Sequence, residues 1–309
     1  MKQTILSCEF LGMQMANPLV LASGILGTSP SLMERVAREG AGAITSKSVG
    51  PEARAGHANP VALAWDGGVI NAIGLTNPGA QDELPLLVET KKRLATLNVP
   101  LFASIFAPSV TDFGEVARII SQAGVDLIEV NISCPNVASE FGMPFSADPD
   151  SAAAVTEAVR CATHLPISIK LAPNVPNIAA IARAVVEQGA DAITAINTMP
   201  AMLIDAHAAR PILSNRTGGL SGTALKPIAL RCVAEIASVV AVPIIGTGGV
   251  QSGLDAAEML MAGATLVGIG SAAWKDGPAV FTRIADELFS FLDAAGYTQV
   301  AQIRGKALQ

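Results

Sequence analysis

The sequence predicts an α/β protein folded as a single closed (β/α)8 (TIM) barrel over residues 1–309, and three observations lead there. Eight short apolar segments with β character alternate with helical patterns. The turns entering those segments alternate in chemistry, with proline before the odd ones and glycine before the even ones. Half of the residues are hydrophobic and only 15% are charged, and the mean hydropathy is +0.46. Parallel strands covered on both faces read in this way, as near-continuous Val, Ile and Ala runs.

Taken in order, residues 3–16 suit a hairpin laid over the barrel floor. The strands follow as PLVLAS (18–23), AITSKS (43–48), PLFASIF (100–106), DLIEVNIS (126–133), PISIKL (166–171), AITAIN (192–197), PIIGTG (243–248) and TLVGIG (265–270). Pro18, Pro100, Pro166 and Pro243 open the odd strands, where a first residue needs no ladder donor. Gly40, Gly124, Gly189 and Gly263 precede the even strands, each suited to the left-handed residue that ends a helix. Long loops are expected after strand two, residues 49–79 with VALAWDGGVINAIG, and after strand four, residues 134–150 with CPNVASEFGMPFSADPD. Both leave the C-terminal ends of strands, the face on which barrels build active sites.

Composition excludes several function classes. A net charge of −6 argues against a nucleic-acid partner. No run of roughly 18 apolar residues spans a membrane and the N-terminal stretch has no apolar signal core, so a cytoplasmic location without membrane association is expected. The four cysteines are dispersed and there are three histidines, which gives no zinc, iron–sulfur or disulfide pattern. Cys8, Cys161 and Cys232 read as small buried hydrophobes. Gly268-x-Gly270-x-x-Ala273 matches a dinucleotide fingerprint, but the βαβ continuation that such a unit needs does not follow it.

The candidate chemistry gathers at strand ends. Pleating places Thr45 with Lys47, Glu129 with Asn131, Ser168 with Lys170 and Ala195 with Asn197 on common faces. Lys47, Asn131, Lys170 and Asn197 therefore converge on the barrel mouth. The two lysines either reach solvent at the rim or share a pocket suited to an anionic ligand or to a flavin whose reduced form is negative. The glycine turns GTGGV (246–250) and GIGSA (268–272) are either tight turns or a phosphate cradle, a recurrent feature after strands seven and eight. Cys134 lies just past strand four beside Pro135, where a thiol can serve as a general base. Asn77, before a proline, reads as turn chemistry, whereas Asn131 and Asn197 are poor strand formers placed to hydrogen-bond a ligand with amide-like edges.

Together NISCPN (131–136), ITSKS (44–48), NAIGLTNPG (71–79), ISIKL (167–171), INT (196–198), RPILSNRTGGLSG (210–222), GTGGV and GIGSA resemble the class 1 dihydroorotate dehydrogenase family, over essentially the whole chain and in order. The resemblance implies an FMN-containing barrel that oxidises (S)-dihydroorotate to orotate in pyrimidine biosynthesis. It implies that Cys134 takes the proton from C5 while C6 gives hydride to the flavin, with Lys47 touching both substrate and flavin. A cysteine here, where the membrane-bound class has serine, agrees with the cytoplasmic expectation. Asn71, Asn131, Asn136, Asn197 and Thr198, with the backbone of Ile73, Gly74 and Leu75, would hold the pyrimidine. FMN would contact Ala22, Ser23, Lys47, Ser48, Ser104, Asn131, Lys170, Ile196 and Gly222, with its phosphate on Gly248, Gly249, Gly270 and Ser271. Ser104 stands where many relatives have asparagine.

RPILSNRTGGLSG is most similar to the class 1B catalytic subunit. That type implies a homodimer of catalytic chains within a heterotetramer, completed by an electron-transfer subunit carrying FAD and a [2Fe–2S] cluster that reduces NAD. Class 1A, with fumarate as acceptor, is the nearest alternative. The residues alone also leave open an FMN oxidoreductase on another dihydropyrimidine, an aldolase-like barrel with Lys47 or Lys170 as Schiff base, and a flavin-binding scaffold without catalysis.

Overall fold

A computed structural model describes residues 2–133 and 145–309. Its centre is a closed ring of eight parallel strands, Leu19–Leu21, Ala43–Thr45, Leu101–Ile105, Leu127–Asn131, Ile167–Leu171, Ala192–Ala195, Ile244–Thr247 and Leu266–Ile269, paired in chain order with the last closing on the first. The entry chemistry has the expected cause. Pro18, Pro100, Pro166 and Pro243 lie one residue before their strands and use only their carbonyls, which accept from Val267, Ile44, Ile128 and Ile193. Gly40, Gly124, Gly189 and Gly263 all have φ between 68° and 111°, as left-handed helix ends require.

Alternation inside the ring sorts the side chains into levels. The lowest is apolar: Val20, Ala43, Phe102, Leu127, Ala192, Ile245 and Leu266 form one buried cluster. Phe10 and Met15 seal it from below, on a hairpin of Cys8–Phe10 and Met13–Met15; residues 3–6 of the stretch expected as hairpin belong instead to a short helix, Lys2–Leu6. Two residues further along the strands the inward positions turn polar, at Thr45, Ser104, Glu129, Ser168 and Thr194, all buried. The outward residues, such as Leu19, Leu21, Ile128, Ile169 and Ile193, join the helices in the main core.

The mouth carries a roof that the sequence reading did not anticipate in full. The loop after strand two supplies a hairpin, Ala62–Trp65 and Gly68–Asn71, and a further insertion after strand six supplies Met199–Ala201 and Gly218–Ser221. They combine into one antiparallel sheet across the barrel, with Asn71 paired to Gly219 and Met199 to Leu220. After strand four the next long helix is Pro149–Ala162, capped by Asp148, so the loop expected over 134–150 ends two residues earlier.

One expectation needs correction, and one expected site residue lies deeper than the cavity lining. Cys161 is exposed, because its helix buries Ala152, Val155, Thr156 and Val159 and leaves position 161 off that stripe. Ser104, expected at the ligand, lies fully buried behind the cavity wall. Cys232 is buried as expected and Cys8 partly so, and burial pushes the Cys8 thiol up to about 12. The decoy fingerprint ends strand eight and runs into the helices Ser271–Asp276 and Val280–Ala294, with no further parallel strand among the described residues. No helix among those residues is long and apolar enough to cross a membrane.

Candidate active site

Between the polar level of the barrel and the roof lies a cavity of about 250 Å³. Ala22, Ser23, Lys47, Ser48, Asn131, Lys170, Ile196, Asn197 and Thr198 line it from strands one, two, four, five and six. Asn71, Ile73, Gly74, Leu75 and Gly222 line it from the roof, and Gly248, Gly249, Gly270 and Ser271 from the turns after strands seven and eight. The expected site residues within the described chain thus meet in one space, Ser104 excepted. Cys134 and Asn136 lie outside the described residues.

Backbone bonds hold these groups at the mouth. Lys47 N donates to Gly27 O at 2.8 Å, Ile196 N to Thr247 O at 2.9 Å and Asn197 N to Leu171 O at 2.9 Å, so each is fixed just past its strand. On the roof, His57 N donates to Ile73 O at 3.0 Å and the His57 ring meets Ala72 O at 3.1 Å, which braces the 71–75 segment. Asn77 belongs to that brace and not to the site: its Oδ1 accepts from Gly50 N and Gly79 N, and its Nδ2 donates to Leu75 O.

The wall is a continuous hydrogen-bonded system. Lys170 Nζ lies 3.3 Å from Glu129 Oε1, and both residues are at most 5% exposed. Ser104 Oγ donates to the same oxygen at 3.1 Å. Ser48 Oγ is 2.8 Å from Ser104 Oγ and 3.2 Å from Ser23 Oγ, and it accepts from Asn131 Nδ2 at 3.3 Å. Asn197 Nδ2 donates to Asn131 Oδ1 at 3.2 Å and to Ser133 Oγ at 3.0 Å. Sequence reasoning placed Glu129 on the inward face but gave it no part in the site. Its parity with Asn131 was the available signal.

The turns after strands seven and eight fit a phosphate group. Gly249 has φ 76°, and a Cβ there would lie 2.6 Å from Lys226 Cβ, so only glycine can occupy it. At Gly270 a Cβ would meet only Ala22 Cβ, at 3.6 Å, so the protein itself leaves this face of the cradle open. Ser271 adds a hydroxyl held by Gln251 Nε2 at 2.9 Å. A cationic Lys170 beside amides and hydroxyls under an apolar roof suits a planar heteroaromatic ring with hydrogen-bonding edges. Reading from sequence missed Val69, Ser221, Leu225, Thr247 and Trp274, which also line the cavity. Most of them supply apolar or backbone surface, for which no residue pattern exists.

Comparison with known proteins converges on one result. The family model described as dihydroorotate dehydrogenase matches residues 5–292. The chain is 41% identical over 307 residues to a protein of Methanosarcina mazei, covering 99% of this chain and 96% of that one. It is 42% identical over 298 residues to one of Methanocaldococcus jannaschii, with 96% and 97% covered. It is 40% identical over 305 residues to one of Pyrococcus abyssi, with 99% and 100% covered. All three are named dihydroorotate dehydrogenase B (NAD(+)), catalytic subunit.

Proposed function

The chain belongs to the dihydroorotate dehydrogenase family, and from that premise we propose that it is the catalytic subunit of a class 1B enzyme, oxidising (S)-dihydroorotate to orotate in pyrimidine synthesis. The observation that carries the reading is the convergence of Lys47, Asn71, Asn131, Lys170 and Asn197 with the glycine turns on one roofed cavity. FMN, when bound there, supplies the two-electron acceptor for the hydride leaving C6.

The protein's own residues do the rest. Asn71, Asn131, Asn197 and Thr198 orient the pyrimidine ring through amide and hydroxyl groups whose partners are already set, so little ordering remains on binding. Asn136 joins them. Lys47 and Lys170 place positive charge where substrate carboxylate and reduced cofactor are negative. The roof excludes water from the reacting face. Cys134 is the base for the C5 proton. A free thiol ionises near pH 8.5, so turnover rises toward alkaline pH.

The relatives' names speak of a catalytic subunit and NAD. We extend that to a partner subunit carrying FAD and a [2Fe–2S] cluster, two catalytic chains in a heterotetramer, and a cytoplasmic setting. The dispersed cysteines of this chain give it no cluster ligands of its own among the described residues.

The test is a visible spectrum of the purified chain before and after anaerobic dihydroorotate. A flavin band near about 450 nm that bleaches is the expected result. A colourless protein, or a band that bleaches with dihydrouracil and not with dihydroorotate, would refute the assignment. Electrons passing from the reduced chain to fumarate without a partner would place it in class 1A. Cys134→Ser should slow bleaching by orders of magnitude while flavin stays bound; unchanged kinetics reject the base.

A further inference from the structure

Six consecutive barrel strands contribute to one hydrogen-bonded chain, and its direction can be read. The Ser104 hydroxyl donates to Glu129 Oε1, which leaves its lone pairs to accept from Ser48 at 2.8 Å. The Ser48 proton is thereby used, so Ser48 accepts from Ser23 at 3.2 Å and from Asn131 Nδ2 at 3.3 Å. Asn131 Oδ1 accepts from Asn197 Nδ2 at 3.2 Å and from Ser133 N at 3.4 Å, while Asn197 Nδ2 also donates to Ser133 O at 3.2 Å and its Oδ1 is taken by Thr198 N at 2.8 Å. A hydroxyl can donate only one proton, so the acceptor at the base orders the Ser104 and Ser48 hydroxyls above it, while backbone groups of Ser133 and Thr198 fix the two amides. That acceptor is the carboxylate of Glu129, 3% exposed, which also holds Lys170 Nζ at 3.3 Å.

We propose that Glu129 is a positioning residue that fixes the polarity of the Ser104 and Ser48 hydroxyls in the cavity wall and offsets the charge of Lys170 toward a bound flavin. It does not line the cavity, so it acts through Lys170, Ser104 and Ser48. Its negative charge opposes formation of a reduced, anionic flavin that Lys170 alone would favour. The pair together holds the flavin at a lower reduction potential than the lysine by itself would set. Wall polarity follows from the same atom. A glutamine can present its amide N–H to Ser104 and so reverse the order of donors along Ser104, Ser48 and Ser23.

The inference rests on the reading that the cavity holds FMN, and the experiment separates the two. The wild-type chain and Glu129→Gln are reconstituted with FMN and their two-electron reduction potentials measured by dye equilibration, with circular dichroism as the check on folding. Glu129→Gln is expected to favour the reduced flavin by about tenfold, which is ~30 mV for a two-electron couple. An unchanged or lowered potential in a folded, flavin-loaded variant overturns the proposal while leaving the functional reading intact. Failure of the wild type to take up FMN removes both.

Where the unpaired ammonium prevents Glu129→Gln from folding or holding flavin, the double variant Glu129→Gln/Lys170→Gln decides, because replacing both partners of a buried pair is tolerated far better than removing one. Its potential is expected within about threefold of wild type in the reduction equilibrium. A fall of tenfold or more would show that Lys170 acts uncompensated in the wild type, and would overturn the proposal.

Discussion

Glu83 sits in the first turn of the helix Ala80–Ala95, its amide closing onto Gly79 O at 2.9 Å, and the side chain is buried. Burial pushes its carboxyl up to about 7 from an ordinary 4.5. Below 4.5 both folded and unfolded chains carry the proton, and the group takes nothing from stability. Between 4.5 and 7 the unfolded chain loses a proton that the folded one keeps, so stability falls as pH rises. The whole interval corresponds to about 3 kcal/mol, at 1.36 kcal/mol per unit. Glu83→Gln removes the titration while keeping the shape. At pH 8 the variant should be the more stable by up to about 3 kcal/mol, a rise of about 5 °C in melting temperature for a chain of this length. At pH 4 the two should coincide. Unfolding scans at half-unit steps from pH 4 to 8.5 measure the difference, and a gap that is constant with pH, or that widens toward acid, would refute the argument.

Three other outcomes follow from particular contacts. Phe10→Ala opens the floor cluster where the Phe10 and Phe102 rings lie 6.0 Å apart, and should cost about 3–5 kcal/mol in denaturant unfolding; a loss under 1 kcal/mol would show that the hairpin is not a seal. Gly222 has φ 97° and a Cβ there would lie 2.6 Å from Gly68 Cα, so Gly222→Ala should part the two loops and weaken flavin retention about tenfold in a dialysis assay, and equal retention counts against it. In a Cys134→Ser background a thiol reagent should modify Cys161 in the native protein, with Cys8 and Cys232 reacting only on unfolding, since burial raises both of their pKa values; fast labelling of Cys232 would contradict its burial.

The barrel was legible because its strands obey local rules. Each is an apolar run, and each is announced by a proline whose carbonyl alone is needed or a glycine whose left-handed backbone ends a helix. Inward parity of Lys170 and Asn131 followed from the same period of two. The roof was harder to see because its strands MPA and GGLS are short, and GGLS is glycine-rich and paired with residues 69–71, about 150 positions away. No local signal carries such a pairing. Ser104 shows the other limit. A small polar side chain on an inward position can face a ligand or stand one layer behind it, and only the depth of the strand decides. Cys161 fell on the wrong side of its helix in a reading that judged it by residue type and not by phase.

The sheet over the mouth has a consequence for how the molecule holds together. Residues 62–71 come from the first half of the barrel and 199–221 from the second, and the pairing of Asn71 with Gly219 laces the halves along a line independent of the ring below. Beneath that lacing, among the described residues, Ile70, Ala72 and Leu213 form a buried apolar cluster with Leu63, Ala201 and Leu203 packed against it, a small fraction of the core that secures the strands of the ring. Opening the seam therefore exposes little, and the cover can part while the scaffold stays shut. A tightly held ring under a lightly stitched lid lets one protein guard its contents without sealing them in.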